Sequence, residues 1–228
     1  MGAMAKVSTL DRPMYSYAEA ARLLDLPAAT LRWWLEGARR GDVDYLPVIR
    51  PERTGADVTW GEFVEAGLLR GYRQKNVPLQ RMRPFIAEMR ERTGMPYPLA
   101  HWRPLIDHAA RKLVYEIQHQ VDLPSSMYLV EFEGGQMELA PAAIQFLDRV
   151  DFDAGGAAQR YWPAGKESPV AIDPDIAFGM PQIRGIRTES VAESIDAGES
   201  NDEAARSWGL APSDITAALE WEHRQKAA

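Results

Sequence analysis

Apolar residues recur at helical spacing through the first ninety positions. Ala18, Ala21, Leu23 and Leu24 form one stripe, which Ser16 opens as a cap with Glu19 three residues on. Asp25-Leu26-Pro27 makes a tight turn, and residues 30–35 continue as a second helix. Leu31, Trp34 and Leu35 face the first helix, while Thr30, Arg32, Trp33 and Glu36 look outward. Gly37 ends that helix, and Arg39, Arg40 and Gly41 lead to a short strand over residues 45–50. Two further helices are predicted over residues 60–73 and 77–92, with Phe63, Leu68, Leu69, Met82, Phe85, Ile86 and Met89 packing back. Pro84 would kink the second of these or move its start to about Met82.

The pattern then changes from period 3.6 towards period 2. Residues 99–106, 112–117, 127–132 and 136–139 read as short strands, with Gly134-Gly135 as a two-residue hairpin turn. One amphipathic helix over residues 141–150 follows, through Ile144, Leu147 and Val150. Gly155-Gly156 opens a connection to a strand over residues 160–163. Tyr115, Tyr128, Phe132, Tyr161 and Trp162 are expected to be packing aromatics. Beyond residue 168 a short strand and turn precede three punctuated helices, at 188–196, 201–208 and 212–224. Ser200 and Ser213 are the expected caps, and Gly198 and Gly209 the stops.

The fold class is therefore α+β and mainly helical. Residues 1–10 are expected to be a tag or flexible, because Met-Gly-Ala-Met resembles a cloning remnant before Met4. A winged helix-turn-helix over 11–95, a small antiparallel β-rich middle domain with one helix over 96–167, and a trihelical, homeodomain-like end over 168–228 complete the division.

Composition removes several function classes. No apolar run approaches the ~20 residues a membrane-spanning helix needs. The chain has no cysteine, which excludes a disulfide framework, a cysteine-ligated zinc site and thiol catalysis, and fits a cytoplasmic location. His101, His108, His119 and His223 have no acidic partner at a metal-ligand spacing, so neither metal nor cofactor is expected. No nucleophile-base pair or phosphate loop is present, and the expectation is a protein without enzymatic activity.

The net charge of −7 conceals a change of sign. Residues 1–110 carry 16 Lys/Arg against 13 Asp/Glu, and residues 111–228 carry 10 against 20. A polyanion is attracted to the first part and repelled by the second. Thr30, Arg32 and Trp33 are thus candidate groove readers, with Arg39, Arg40, Arg50 and Arg53 as phosphate clamps in a basic wing. The last helix presents Asp214, Glu220 and Glu222 outward, which disfavours DNA. Its module suits dimerisation or a protein partner.

Residues 14–90, with the run Leu31-Arg32-Trp33-Trp34, resemble the MerR-like winged helix-turn-helix group. That resemblance implies a carboxyl-terminal sensor for a metal, drug or oxidant, whose ligand chemistry is missing here. Residues 168–223 resemble the trihelical domain of VapB-type antitoxins. The resemblance rests on Asp173-Pro174, Phe178-Gly179, Pro181, Gly185-Ile186-Arg187, Ala197-Gly198-Glu199-Ser200 and the late Ala217-Ala218-Leu219. Together these imply an antitoxin of a type II toxin-antitoxin pair. Its partners would be operator DNA and a PIN-domain (VapC-type) ribonuclease toxin with a magnesium-dependent acidic site, and the complex would repress its own promoter. In such pairs a basic residue often fills the toxin's carboxylate cluster, a role open here to Arg224 or Lys226, and Trp221 is a candidate toxin contact whose position suits the core more than an interface. A homodimer is expected, because paired readers match an inverted repeat. The alternative is a stand-alone helix-turn-helix transcriptional regulator that binds an effector in its middle domain.

Overall fold

The computed structural model describes residues 8–73, 79–102, 105 and 108–227. By its internal contacts the chain divides into two compact units, residues 1–147 with 152–158, and residues 148–151 with 159–228. The expected tag lies largely outside the described residues. Of its last three, Leu10 is buried in the middle of a 3₁₀ turn, Thr9–Asp11, which Ser8 caps.

In the first unit, strand β1 (Pro13–Tyr15) pairs antiparallel with β4 (Val58–Thr59). Between them lie helices α1 (Tyr17–Leu23) and α2 (Ala28–Glu36) and the hairpin β2 (Ala38–Arg40)/β3 (Val43–Tyr45). The Ser16 hydroxyl accepts from the Glu19 N–H at 3.2 Å, as its spacing predicts. Gly37 ends α2 at φ +65°, where a Cβ would lie 2.0 Å from the Tyr45 carbonyl oxygen. Only glycine lets the hairpin close that tightly.

Helix α3 (Trp60–Arg73) has the expected bounds and supplies the core with Trp60, Phe63, Leu68 and Leu69. Helix α4 (Met82–Thr93) begins at Met82, so Pro84 falls in the first turn, where no intrahelical N–H is lost. Residues 77 and 78 of that expected helix lie outside the described residues.

Residues 112–117 correct the reading of a strand, because they lie inside helix α5 (His108–Gln120). Val114, Ile117 and Gln118 are its buried positions, a spacing of three and four rather than two. Gln118 is the clamp: its Oε1 accepts from the N–H groups of Leu129 (2.7 Å) and Val130 (3.0 Å), and its Nε2 donates to the Val130 carbonyl (2.9 Å). Residues 98–100 form a 3₁₀ turn rather than a strand, and residues 103, 104 and 106 lie outside the described residues. Strands β5 (Val130–Glu133) and β6 (Gln136–Leu139) form the expected hairpin around Gly134-Gly135. Helix α6 stops at Leu147 (Pro141–Leu147), and Val150 begins the hairpin β7 (Val150–Phe152)/β8 (Ala158–Tyr161), whose residues are shared between the units.

The second unit holds the hairpin β9 (Gln182–Ile183)/β10 (Ile186–Arg187) and helices α7 (Thr188–Asp196), α8 (Asn201–Trp208) and α9 (Pro212–Ala227). Ser200 caps α8 in a reciprocal box with Glu203, and Gly209 stops it in the left-handed region. Ser213 is not a cap. Helix α9 starts one residue earlier, and Asp214 accepts the Ala211 N–H at 3.2 Å instead. Val191, Ala204, Ile215, Ala218 and Trp221 form the core.

Among the described residues no helix is long and apolar enough to cross a membrane. The result is a mainly helical α+β protein with an amino-terminal helix-turn-helix and small antiparallel sheets, as the sequence pattern predicts.

Candidate nucleic-acid interface

Helix α2 buries Leu31, Trp34 and Leu35 against α1 and leaves Arg32 exposed and Thr30 and Trp33 half-buried. The Arg32 guanidinium sits 5.5 Å from the Tyr17 ring centroid. Trp33 leans edge-on against Tyr45 of the wing, with centroids 6.5 Å apart, and its indole Nε1 is buried with no hydrogen-bond partner among the described residues.

The wing is earlier in the chain than the sequence pattern indicates. Arg39 and Arg40 lie within β2, opposite Asp44 and Val43, instead of leading into a strand at 45–50. The N–H groups of Val48 and Ile49 donate to the Trp34 carbonyl at 2.8 and 3.0 Å, which ties this stretch to the end of α2 and pulls it into the core. Both wing arginines are exposed and make no side-chain hydrogen bond or ion pair among the described residues.

Arg50 is not a surface clamp; it is 3% exposed. Its Nε and Nη2 donate to the two Glu62 carboxylate oxygens at 2.7 and 2.9 Å, Nη1 to the Tyr17 hydroxyl at 2.8 Å and to Glu36, and Nη2 also to the Ala56 and Asp57 carbonyls. Burial opposes its charge, but the bonds to Glu62 and Tyr17 outweigh that and raise its pKa above the ordinary arginine value. Glu36 belongs to this network and not to an outward reading face, since it also accepts from the Tyr17 hydroxyl and the Gly55 N–H.

Arg53 staples the wing to α2. It donates to the Glu36 and Tyr45 carbonyls at 2.7 and 3.0 Å and pairs with Asp44. The same surface gains a residue that sequence reasoning passed over. The Gln80 amide donates to the Leu46 carbonyl at 3.1 Å, which brings exposed Arg81 to the base of the wing. Its basic neighbours in Arg81-Met82-Arg83 are the signal in the sequence.

Behind the reader, Glu65 on α3 is fully buried. It accepts the Leu99 N–H at 3.0 Å and faces Arg90 at 3.4 Å. Burial pushes its carboxyl up to about 7, against the pull of Arg90 and the Leu99 N–H. A carboxyl with a raised folded pKa takes up a proton on folding. Its contribution is therefore full at low pH and is lost as pH rises through about 7. The melting temperature is expected to fall between about pH 5 and about pH 8. Glu65→Gln keeps an acceptor for Leu99 and should flatten that slope in a thermal melt series. An unchanged slope would place the pH dependence on other groups.

In the second unit Trp221 lies in the core, and its Nε1 is buried with no hydrogen-bond partner among the described residues. Arg224 is exposed, 5.5 Å from the Trp221 ring centroid, and Lys226 lies 3.6 Å from Asp196. The acidic face of α9 is smaller than expected. Asp214 is buried at the Ala211 cap, and Glu222 accepts from the Thr188 hydroxyl at 2.5 Å, which leaves Glu220 exposed. Among the described residues no group of three or more His, Cys, Asp or Glu is placed to hold a metal ion.

A recognition-type helix with a two-stranded wing carrying free arginines defines a helix-turn-helix DNA-binding domain. Comparison with known proteins agrees: a family profile described as "Putative DNA-binding HTH domain" matches residues 13–86. A second, described as "Protein of unknown function (DUF433)", matches residues 170–221. Neither description names an enzymatic activity. The uncharacterized protein Rv2308 of Mycobacterium tuberculosis is 33% identical over 99% of this chain and 96% of its own length. The chain belongs to the same family as that protein. It is also similar to a protein named "Putative antitoxin VapB45" of the same organism, 28% identical over 92% of this chain and 94% of that one. The crystal structure of Rv2018 from M. tuberculosis superposes with a TM-score of 0.73 at 25% identity, covering 93% of this chain and all of that one.

Proposed function

We propose that the protein is a DNA-binding antitoxin. In this reading a homodimer reads an operator through paired α2 helices and wings, represses its own promoter, and neutralises a PIN-domain ribonuclease encoded beside it. The observation that carries the DNA arm is the set of exposed cations, Arg32, Arg39 and Arg40, on α2 and the wing, in a half of the chain whose charge balance is positive. The toxin arm is supported by the antitoxin name of the 28% identical relative and by the trihelical resemblance of residues 168–223. Residues 11–95, 96–167 and 168–228 would serve as reader, connecting and partner-binding modules.

Co-expression with the adjacent open reading frame, a pull-down and a ribonuclease assay test the toxin arm. Stable co-purification with suppressed cleavage is expected. Arg224→Ala with Lys226→Ala, at the exposed end of α9, should weaken inhibition by about tenfold or more while leaving DNA affinity unchanged. A neighbouring protein that neither binds nor cleaves RNA would leave a stand-alone regulator as the better reading.

A further inference from the structure

Phe178 is 83% exposed, the most exposed large apolar side chain among the described residues. Its backbone is in the left-handed region at φ +57°, between Ala177 at +51° and Gly179 at +74°. A bulky residue avoids that region, and such strain persists only where the surroundings impose it. Here they do. The Gly179 N–H donates to the Ile176 carbonyl at 3.0 Å, and the Met180 N–H to the Ala177 carbonyl at 3.1 Å. Upstream, the Asp173 carboxylate accepts from the Asp175 N–H and pairs with Arg160 at 3.1 Å. Arg187 lies 5.7 Å from the Phe178 ring centroid. The turn thus holds the phenyl ring out to solvent, where it gains nothing from burial within its own chain, while half-buried Arg187 of β10 makes no ion pair among the described residues.

A groove of about 1060 Å³ lies in the same unit, between residues 162–169 and one face of α9. Trp162, Pro169 and Ala217 give it apolar walls, and Glu167 and Glu220 line it without an ion pair among the described residues. Lys166, also on the wall, is already held by Asp151 at 2.8 Å. The groove therefore offers apolar surface with unpaired carboxylates, complementary to a phenyl ring beside an unpaired guanidinium. Arg184, in the turn that leads into β10 and Arg187, reaches Asp214 of the groove wall at 3.6 Å, so one unit carries both the display and the groove.

We infer that this face is the homodimer interface: Phe178 of each chain enters the groove of a second copy, and Arg187 meets Glu220 and Glu167 there. Two complementary features on one unit can be satisfied twice by one two-fold axis, which closes the assembly at two chains. An aromatic anchor in a pocket with a charged rim is the usual composition of an interface hot spot. The inference deepens the paired-reader reading above by giving the pairing a location, and it is independent of the ribonuclease.

Sedimentation equilibrium on the full chain at micromolar concentration tests it. Wild type should be dimeric, and Phe178→Ala should raise the dimer dissociation constant by about tenfold or more. Arg187→Glu should do the same, and adding Glu220→Arg to it should restore affinity to within about threefold. Phe178 is solvent-exposed, so the alanine variant should keep the wild-type circular dichroism spectrum. A wild-type monomer overturns both the inference and the paired-reader reading. A dimer indifferent to Phe178→Ala and unrescued by the charge reversal overturns this face alone. Monomeric wild type that loses the adjacent-frame ribonuclease on Phe178→Ala would assign the face to that partner instead.

Discussion

Arg50→Ala should destabilise the first unit by about 3–5 kcal/mol, the usual consequence of removing one member of a buried ion-pair network. The substitution leaves Glu62, now without its bidentate partner, and Glu36 with the Tyr17 hydroxyl and the Gly55 N–H as its remaining donors. It also strips the Ala56 and Asp57 carbonyls of their donor. For a chain of this size the loss corresponds to a fall in melting temperature of roughly 6–20 °C. Arg53→Ala is the control. Its guanidinium is partly exposed and screened, and the cost should stay within about 1 kcal/mol. Both are read by thermal and urea melts followed through far-ultraviolet circular dichroism. Equal melting of the two variants would show that the buried network does not hold the helix-turn-helix to α3.

That contrast also shows where sequence reasoning reached and where it stopped. In the sequence Arg50 and Arg53 are two basic residues after a turn, and both suit a phosphate. Their fates separate because Glu36 and Glu62, fourteen and twelve residues away from Arg50, converge on it in space. No local signal carries such a meeting. Elements written in local chemistry were legible. Ser16, Ser200, Gly37 and Gly209 mark helix ends through caps and positive-φ stops, and α3, α7 and α8 have the expected bounds. Gly134-Gly135 likewise placed its hairpin.

Short apolar runs were not legible. Residues 112–117 mix branched and aromatic residues that suit a strand, and only the burial of Val114, Ile117 and Gln118 on one side shows a helix. Residues 45–50 look strand-like, yet the Val48 and Ile49 N–H groups serve the end of α2, and the wing falls to Ala38–Tyr45 around the Gly41-Asp42 turn. In the candidate interface, Arg32, Arg39 and Arg40 were readable as exposed cations. The exposed Phe178 was readable only as part of a motif, because its display depends on a left-handed turn.

The three exposed arginines should divide into two functional kinds when DNA binding is measured. Arg39 and Arg40 project from a wing strand, whose natural contact is the phosphate backbone. Replacing both by alanine should weaken binding to promoter and scrambled duplexes by the same factor, roughly 10- to 100-fold near physiological salt. The slope of log affinity against log salt should also flatten by about two, one for each lost phosphate contact. Arg32 sits on α2 itself, with its guanidinium held near the Tyr17 ring. A positioned guanidinium in the major groove pairs with a base edge at about 1–3 kcal/mol, so Arg32→Ala should weaken promoter binding by roughly 5- to 150-fold. It should change scrambled-duplex binding far less. Fluorescence anisotropy titrations with a duplex from upstream of the gene, at several potassium chloride concentrations, separate these outcomes. Unchanged affinity in all the variants would remove α2 and the wing as the reader. Equal losses on both duplexes for Arg32→Ala would place that residue on phosphate, and α2 would then lie along the backbone rather than in the groove.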